Sequence, residues 1–117
     1  MILPLFTGSS TPVNAGQFER HITRNDIPVI VDFWAQWCRP CHMMAPAFES
    51  AAMALEPDYR LLKLNTEEEQ DIAARYSIRS IPMLMMFSHG KLVAQNAGAM
   101  DANSIVNWSR RHATLAA

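Results

Sequence analysis

Residues 29–42 read VIVDFWAQWCRPCH, and this stretch carries both cysteines of the 117-residue chain, three positions apart. Its first half is apolar and β-branched except for Asp32, which predicts a central strand covered on both faces. From Cys38 onward the apolar residues recur at helical spacing, and Pro40 falls in the first turn, where its missing N–H costs nothing. The stretch therefore predicts a strand that leads into a helix beginning at the cysteine pair.

Helices and strands are predicted to alternate along the rest of the chain. In order they are a helix from a capping box at Asn14 to about Thr23, strand Val29–Phe33, helix Cys38–Leu55 with Pro46 inside it, strand Arg60–Asn65, a helix from a capping box at Thr66 and Glu69 to about Tyr76, strands Met83–Ser88 and Lys91–Ala97 joined at His89-Gly90, and a helix from Asp101. Strands joined through helices pair in parallel, and the hairpin adds an antiparallel pair. We expect an α/β fold with a central mixed β-sheet flanked by helices on both faces.

Composition and net charge limit the classes of function that the chain can have. Half of the residues are hydrophobic, 18% are charged and the net charge is −1, which fits one globular domain over residues 1–117. We expect residues 1–12 to form an extension of less certain structure. No basic field attracts nucleic acid, and no apolar run approaches the roughly 20 residues that cross a bilayer. The apolar start lacks the basic flank of a signal peptide, so we expect a cytoplasmic protein that binds neither nucleic acid nor membrane.

The cysteine pair admits three interpretations. A structural disulfide between Cys38 and Cys41 closes so small a ring that it adds little stability through chain entropy. A zinc site needs about four ligands, whereas the pair supplies two and the four histidines are scattered without ligand spacing, so we expect no metal. In a redox site, the helix N-terminus stabilises the thiolate of Cys38, which attacks a substrate disulfide before Cys41 resolves the mixed disulfide. The redox interpretation explains the most features.

Several segments resemble the thioredoxin family. They are VDFWAQWCRPC at residues 31–41, the proline of MMAPAFE at 43–49, IRSIP at 78–82 and the glycine of AGAM at 97–100. The resemblance runs from about Phe6 to Arg110 in the family's order and spacing. Within the family, PLFTG at residues 4–8, MMAPAFE and AGAM are most similar to the proteobacterial thioredoxin 2 type. The resemblance implies a thioredoxin fold and a thiol–disulfide oxidoreductase.

Two charged residues gain roles from the resemblance. Asp32 is an acid inside an apolar strand, so the sequence itself predicts that it is buried and that desolvation raises its pKa. The resemblance implies that Asp32 moves a proton to or from Cys41, and that Lys63 lies near the acid and modulates it. The simpler alternatives are a strand-end carboxylate bonded to backbone and an ordinary exposed strand lysine.

Other positions match those that contact substrates in the family. Ile81-Pro82 matches the segment where thioredoxins carry a cis proline facing the cysteines, and a proline there leaves neighbouring backbone free to pair with an extended substrate peptide. Trp34 and Trp37 shield the thiols and offer an apolar rim, or else are plain core aromatics. Gly98 permits close approach of substrate backbone, or simply ends a strand.

The chain departs from the family pattern at several positions. In the active-site loop formed by Trp37, Arg39 and Pro40, the arginine replaces the usual glycine; His42 replaces lysine, and Met83 replaces threonine after the proline. Arg39 is expected to be exposed and to stabilise the reduced thiolate form. Thioredoxin 2 proteins usually carry an N-terminal zinc ribbon with two further Cys-x-x-Cys pairs, and this chain has no such cysteines, so no zinc is expected.

The leading functional hypothesis is a monomeric protein-disulfide reductase. Because the chain has no Gly-x-Gly-x-x-Gly segment, no bound cofactor is expected, and the resemblance implies that electrons come from NADPH through a thioredoxin reductase. Disulfide-containing proteins are the expected substrates. The alternatives are an oxidase or isomerase in an oxidising compartment and a redox-inactive binding module. Four methionines, Met43, Met44, Met85 and Met86, are predicted to fill the core.

Overall fold

The computed structural model describes residues 9–116, with side chains up to Ala113, so the PLFTG segment lies outside the described residues. Over this range five strands form one sheet, in the order β1-β3-β2-β4-β5. The elements are β1 (Thr11–Pro12), α1 (Ala15–Arg24), β2 (Val29–Trp34), α2 (Arg39–Leu55), β3 (Arg60–Asn65), α3 (Gln70–Arg75), β4 (Met83–Ser88), β5 (Lys91–Ala97) and α4 (Ala102–Ala116).

The sheet is mixed, as the order of elements predicts. Strand β3 pairs in parallel with both β1 and β2, whereas β4 pairs antiparallel with β2 and with β5. Strand β1 is absent from the sequence prediction and falls in the expected extension. It is only two residues long, Thr11 beside Leu62 and Pro12 beside Lys63, and the Val13 N–H continues the pairing to the Lys63 carbonyl at 2.9 Å.

Helices cover both faces of the sheet and create two cores. On one face Phe18 of α1 and Ile72 of α3 pack against apolar residues of β2, β3 and β4. On the other face Phe48 of α2 and Trp108 of α4 pack against the alternate residues of the same strands. The central strand is therefore buried on both sides, as its unbroken apolar run predicts. Across residues 9–116, no helix is long and apolar enough to span a membrane.

The capping box predicted for α1 is confirmed, whereas the one predicted for α3 is wrong. Asn14 and Gln17 exchange side-chain and backbone hydrogen bonds, both of 2.9 Å. Helix α3 instead begins at Gln70, and its N-cap residue, Glu69, makes no side-chain capping bond. The Glu69 carboxylate accepts a hydrogen bond from the Ala15 N–H at 2.8 Å, which ties the start of α3 to α1.

A turn centred on Asn65 explains the late start of α3. The Asn65 side-chain oxygen accepts the N–H of Glu67 at 2.8 Å and of Glu68 at 3.3 Å. An asparagine that captures the next amides competes with helix formation, so residues 66–68 form a turn. Glu67 and Glu68 therefore precede the helix instead of lying in its first turn.

Helix α2 departs from the prediction at one methionine. Met44 is buried, with 2% of its surface exposed, and Met85 and Met86 of β4 are buried too. Met43 is 71% exposed, so its prediction as a core residue is wrong. Adjacent helical residues point about 100° apart, and the helix turns Met43 to solvent where Met44 enters the core.

Candidate active site

The cysteine pair lies where β2 passes into α2. Cys38 is the N-cap residue of α2 and is joined to Cys41 by a disulfide, with the two Cα atoms 5.3 Å apart. The Cys41 backbone N–H donates a hydrogen bond to the Cys38 sulfur at 3.2 Å. This donor and the positive end of the helix dipole both favour negative charge on Cys38, so they stabilise its thiolate once the disulfide is reduced.

The surroundings of the pair are exposed, although both cysteines are buried. Cys38 and Cys41 are 3% and 2% exposed, so burial alone does not distinguish an attacking from a resolving thiol. Trp37 is 71% exposed, which rules out its interpretation as a core aromatic. Arg39 and Pro40 are also exposed, as expected for the arginine. The buried cysteines are therefore flanked along the chain by exposed residues.

The segment just before β4 and the residue just after β5 complete the site. The Ile81–Pro82 peptide bond is cis, as the resemblance implies, and the Ile81 carbonyl oxygen lies 3.7 Å from the Cys38 sulfur. The Gly98 N–H donates to the Pro82 carbonyl at 2.9 Å. Gly98 has φ of 100°, and nothing lies within 4 Å of where a Cβ would stand. The glycine is therefore required by backbone conformation, and it leaves open space beside Pro82.

Asp32 lies inside the protein on the face that carries α2. It is 1% exposed, two residues from Ile30, which packs in the α2 core, and its Oδ1 has no hydrogen-bond partner among the described residues. Burial raises the pKa of Asp32 to about 7; the Lys63 ammonium opposes this rise and the Glu49 carboxylate adds to it. The predicted burial and the direction of the pKa shift are confirmed. The acid can therefore gain or lose a proton near neutral pH.

Lys63 connects Asp32 with the tryptophan beside the cysteines. It stands next to Asp32 in the register of β2 and β3, and its Nζ lies 5.2 Å above the ring of Trp34. This cation–π contact shows that Lys63 is not simply an exposed strand lysine. Trp34 is half-buried and packs against the cysteine cluster, so it is part of both the site and the core.

Glu49 and Glu67 were not predicted to belong to the site, and His42 was noted only as a departure from the family pattern. Glu49 of α2 accepts hydrogen bonds from the N–H and the hydroxyl of Ser10, which hold it where its charge acts on Asp32. His42 Nε2 lies 2.6 Å from the Gln36 carbonyl, and the Glu67 carboxylate accepts the Gln36 N–H at 3.3 Å. The apolar pattern of α2 could have indicated that Glu49 lies close to the core. The contacts of His42 and Glu67 with Gln36 depend on the path of the loop between β2 and α2, which the sequence pattern does not reveal.

The arrangement is suited to thiol–disulfide exchange. The Cys38–Cys41 pair lies at a helix N-terminus, where its disulfide can accept two electrons and its dithiol can give two electrons. A buried acid that titrates near neutral pH provides a proton site. No group of three or more His, Cys, Asp or Glu side chains within residues 9–116 converges to hold a metal ion.

Comparison with known proteins identifies the family. The thioredoxin family model matches residues 9–111. A thioredoxin of Rickettsia bellii is 41% identical over 91 residues, covering 78% of this chain and 87% of that protein. Thioredoxin 1 of a Nostoc species is 36% identical over 104 residues, covering 89% and 97%. The solved structure of a point-mutant thioredoxin from Halobacterium salinarum superposes with a TM-score of 0.80 at 27% identity, covering 91% and 92%. The chain has a thioredoxin fold and belongs to the thioredoxin family of thiol–disulfide oxidoreductases.

Proposed function

We propose that this protein reduces disulfides in other proteins, with Cys38 attacking and Cys41 resolving. The Cys38 thiolate bonds to one substrate sulfur, the substrate S–S bond breaks, and the other sulfur leaves as a thiolate. Cys41 then loses its proton and attacks Cys38, which releases the second substrate thiolate and leaves the Cys38–Cys41 disulfide. Two electrons pass to the substrate. The observation that carries this proposal is the position of Cys38 at the N-cap, with the Cys41 N–H donating to its sulfur.

Asp32 is proposed to exchange the proton of Cys41. A pKa of about 7 makes the carboxylate a competent base near neutral pH, and Asp32 faces the helix that carries Cys41. Lys63 is proposed to tune this acid through its charge, because its ammonium opposes the rise in the pKa of Asp32. Asp32 and Lys63 thus act on the resolving step.

Substrates are proposed to dock as extended peptides along the backbone at Ile81 and Pro82. The Ile81 carbonyl beside Cys38 and the open space over Gly98 allow a second backbone to approach. The exposed Trp37 provides an apolar contact for the partner, and Trp34 supports the loop from below. Such a surface recognises unfolded or flexible segments more readily than rigid ones.

The physiological setting is proposed from the family. Reducing equivalents come from NADPH through a thioredoxin reductase, and the protein works as a monomeric single domain in the bacterial cytoplasm. The bacterial thioredoxins among its relatives support this setting. Within the family we propose the thioredoxin 2 type, because of the segments MMAPAFE and AGAM.

A coupled assay tests the proposal. We expect the protein to accelerate NADPH-dependent reduction of insulin by a bacterial thioredoxin reductase, because reduced Cys38 attacks the insulin disulfides. The matched control is the same protein after both reduced cysteines have been alkylated, which should be inactive. Equal rates for the alkylated and untreated proteins would contradict the proposal and favour a redox-inactive binding module.

The reduction potential distinguishes the reductase from the alternative oxidase or isomerase, which Arg39 favours. An exposed cation beside Cys38 stabilises the reduced thiolate, so we expect a potential less negative than the roughly −270 mV typical of thioredoxins. Arg39→Gly should shift it about 5–20 mV in the negative direction, a range set by the small energies of exposed charge pairs. The potential is measured by equilibration with glutathione buffers.

Charge is the variable that this comparison isolates. Arg39→Lys keeps the cation and should leave the potential close to that of the parent protein. Raising the salt concentration should shrink the Arg39→Gly shift, because surface charges are screened. A parent potential at or below about −270 mV, or equal shifts in the glycine and lysine variants, would count against the role assigned to Arg39.

A further inference from the structure

Met43 presents an exposed thioether near the start of α2, two residues after Cys41. It is 71% exposed, whereas its neighbour Met44 is 2% exposed. Residues three and four apart adjoin on a helix surface, so Met43 adjoins Arg39 and Pro40, the two exposed residues between the cysteines. A partner that covers Arg39 and Pro40 as it reaches Cys38 therefore also covers Met43, one turn further along α2.

A thioether in this position is open to hydroperoxides. The sulfur takes one oxygen atom from the hydroperoxide and gives up an electron pair, the O–O bond breaks, and the remainder leaves as water or an alcohol. The product, methionine sulfoxide, is polar where the thioether was apolar. Because the reaction requires contact between the oxidant and sulfur, exposed methionines react before buried ones.

We propose that Met43 is a hydroperoxide-modification site whose sulfoxide weakens the docking of protein substrates. The inference rests on the proposed function, because it assigns docking to the surface around Cys38. The added oxygen places a polar group at an apolar contact, where it must be desolvated when a partner binds. Activity is thereby lowered through a residue that takes no part in the exchange of electrons.

This modification differs from oxidation of the cysteines in what reverses it. Hydroperoxide can also return the reduced cysteine pair to its disulfide, and a dithiol restores the reduced pair. Methionine sulfoxide is instead repaired by a methionine sulfoxide reductase. When the cysteines are held as their disulfide during peroxide treatment, no sulfinic acid can form on them. Loss of activity that persists after dithiol treatment then reports on methionine.

Met53 is the matched control that the chain provides. It is 70% exposed, lies on the same helix as Met43 and has the same chemistry. It is ten residues further along α2, which places it about 15 Å farther from the cysteine pair. The two residues therefore have equal access to oxidant and unequal proximity to the docking surface.

The first experiment maps the modification. The disulfide form, whose two cysteines offer no free thiol, is treated with hydrogen peroxide. Sulfoxide at each methionine is then followed by peptide mass spectrometry. We expect Met43 and Met53 to oxidise at similar rates, at least about tenfold faster than Met44, because peroxide must reach the sulfur. Oxidation of Met43 no faster than that of Met44 would overturn the proposal.

The second experiment measures docking. Peroxide-treated protein is reduced with dithiol, and its KM for insulin is compared with that of untreated protein. We expect KM to rise about fivefold in the parent and in Met53→Leu, with kcat little changed, because a polar group is covered on binding. The ratio of treated to untreated KM should stay near one in Met43→Leu. An equal rise in Met43→Leu, or none in the parent, would overturn the docking effect.

The two experiments separate this inference from the proposed function. A protein that fails to reduce insulin before peroxide treatment contradicts the proposed function and the docking effect together. The mass-spectrometric result depends on exposure alone, so it still decides whether Met43 is the modification site. Treatment of the oxidised parent with a methionine sulfoxide reductase should restore the original KM, and failure to do so would contradict sulfoxide as the cause.

Discussion

Replacing Asp32 with asparagine should raise the free energy of unfolding of the disulfide form by about 3 kcal/mol at pH 8, and by less than about 1 kcal/mol at pH 4. The pKa of Asp32 is raised from 3.8 to about 7, chiefly by burial. A shift of about three units corresponds to about 4 kcal/mol at 1.36 kcal/mol per unit. We expect a somewhat smaller gain in stability because the asparagine amide is itself a buried polar group. It takes the place of a carboxyl group whose Oδ1 has no hydrogen-bond partner among the described residues.

The sign follows from which state holds the proton. Between pH 3.8 and about 7 the unfolded chain has lost the Asp32 proton while the folded protein retains it. Stability contributed by this group therefore falls as pH rises through that window, and stays constant above it. Asparagine does not titrate, so the gain from the substitution is small below the window and complete above it. Urea unfolding at several pH values measures the difference.

Two further variants control this experiment. Asp101 is an exposed carboxylate whose pKa is lowered by its hydrogen bond with Ser104, so Asp101→Asn should give no gain that grows with pH. Lys63→Met removes the ammonium that opposes the rise in the pKa of Asp32, and should extend the destabilised window to higher pH. A gain from Asp32→Asn that is equal at pH 4 and pH 8 would show that packing, and not ionisation, is responsible.

The centre of this site is predictable from sequence because its causes are local. Asp32 lies between Val31 and Phe33 in a strand that is otherwise apolar and is buried on both faces. The burial and the raised pKa of Asp32 therefore follow from its neighbours in the sequence. The helix start at Cys38 follows from Pro40 and the apolar spacing beyond it. The box at Asn14 likewise involves residues only three apart.

The start of α3 shows where local patterns compete. The side chains of Thr66 and Asn65 can both accept hydrogen bonds from unpaired backbone N–H groups, and the sequence does not predict which of them does so. In the structure the Thr66 N–H and hydroxyl are both directed to the Trp34 carbonyl on the neighbouring strand, and Asn65 takes the amides of the turn. A contact across 32 residues therefore decides a local choice.

Other features depend wholly on tertiary contacts. Strand β1 exists because Thr11 and Pro12 lie beside β3, far along the chain, and two residues carry no periodicity of their own. The approach of Ile81 to Cys38 spans 43 residues and was expected only through the family resemblance. The exposure of Met43 depends on the rotation of α2 about its axis, which the mixed apolar pattern of that helix leaves poorly defined.

The second large effect concerns the cysteines themselves. Cys38→Ser should lower insulin reduction by at least about a thousandfold, because a serine hydroxyl is not ionised near neutral pH and cannot replace the thiolate nucleophile. Cys41→Ser should also stop turnover, but after one chemical step. Its Cys38 still attacks the substrate, and no resolving thiol is present to release the mixed disulfide.

Trapped mixed disulfide is the measurement that separates the two roles. With an excess of a disulfide-containing protein, Cys41→Ser should accumulate close to one covalent adduct per chain, seen by mass spectrometry without reductant and lost on addition of dithiol. Cys38→Ser should accumulate few adducts, and the double variant Cys38→Ser/Cys41→Ser should give none. Equal unfolding midpoints for the reduced parent and all three variants would show that the differences are chemical.

The pair of variants also decides an assignment that burial does not make. Cys38 and Cys41 are almost equally covered, so only the hydrogen bond from the Cys41 N–H and the helix N-terminus favour Cys38 as the thiolate. If those donors set the order of attack, adducts form through Cys38 alone. Adducts that accumulate in Cys38→Ser and not in Cys41→Ser would reverse the order, and would mean that access to substrate, and not stabilisation of the thiolate, selects the nucleophile.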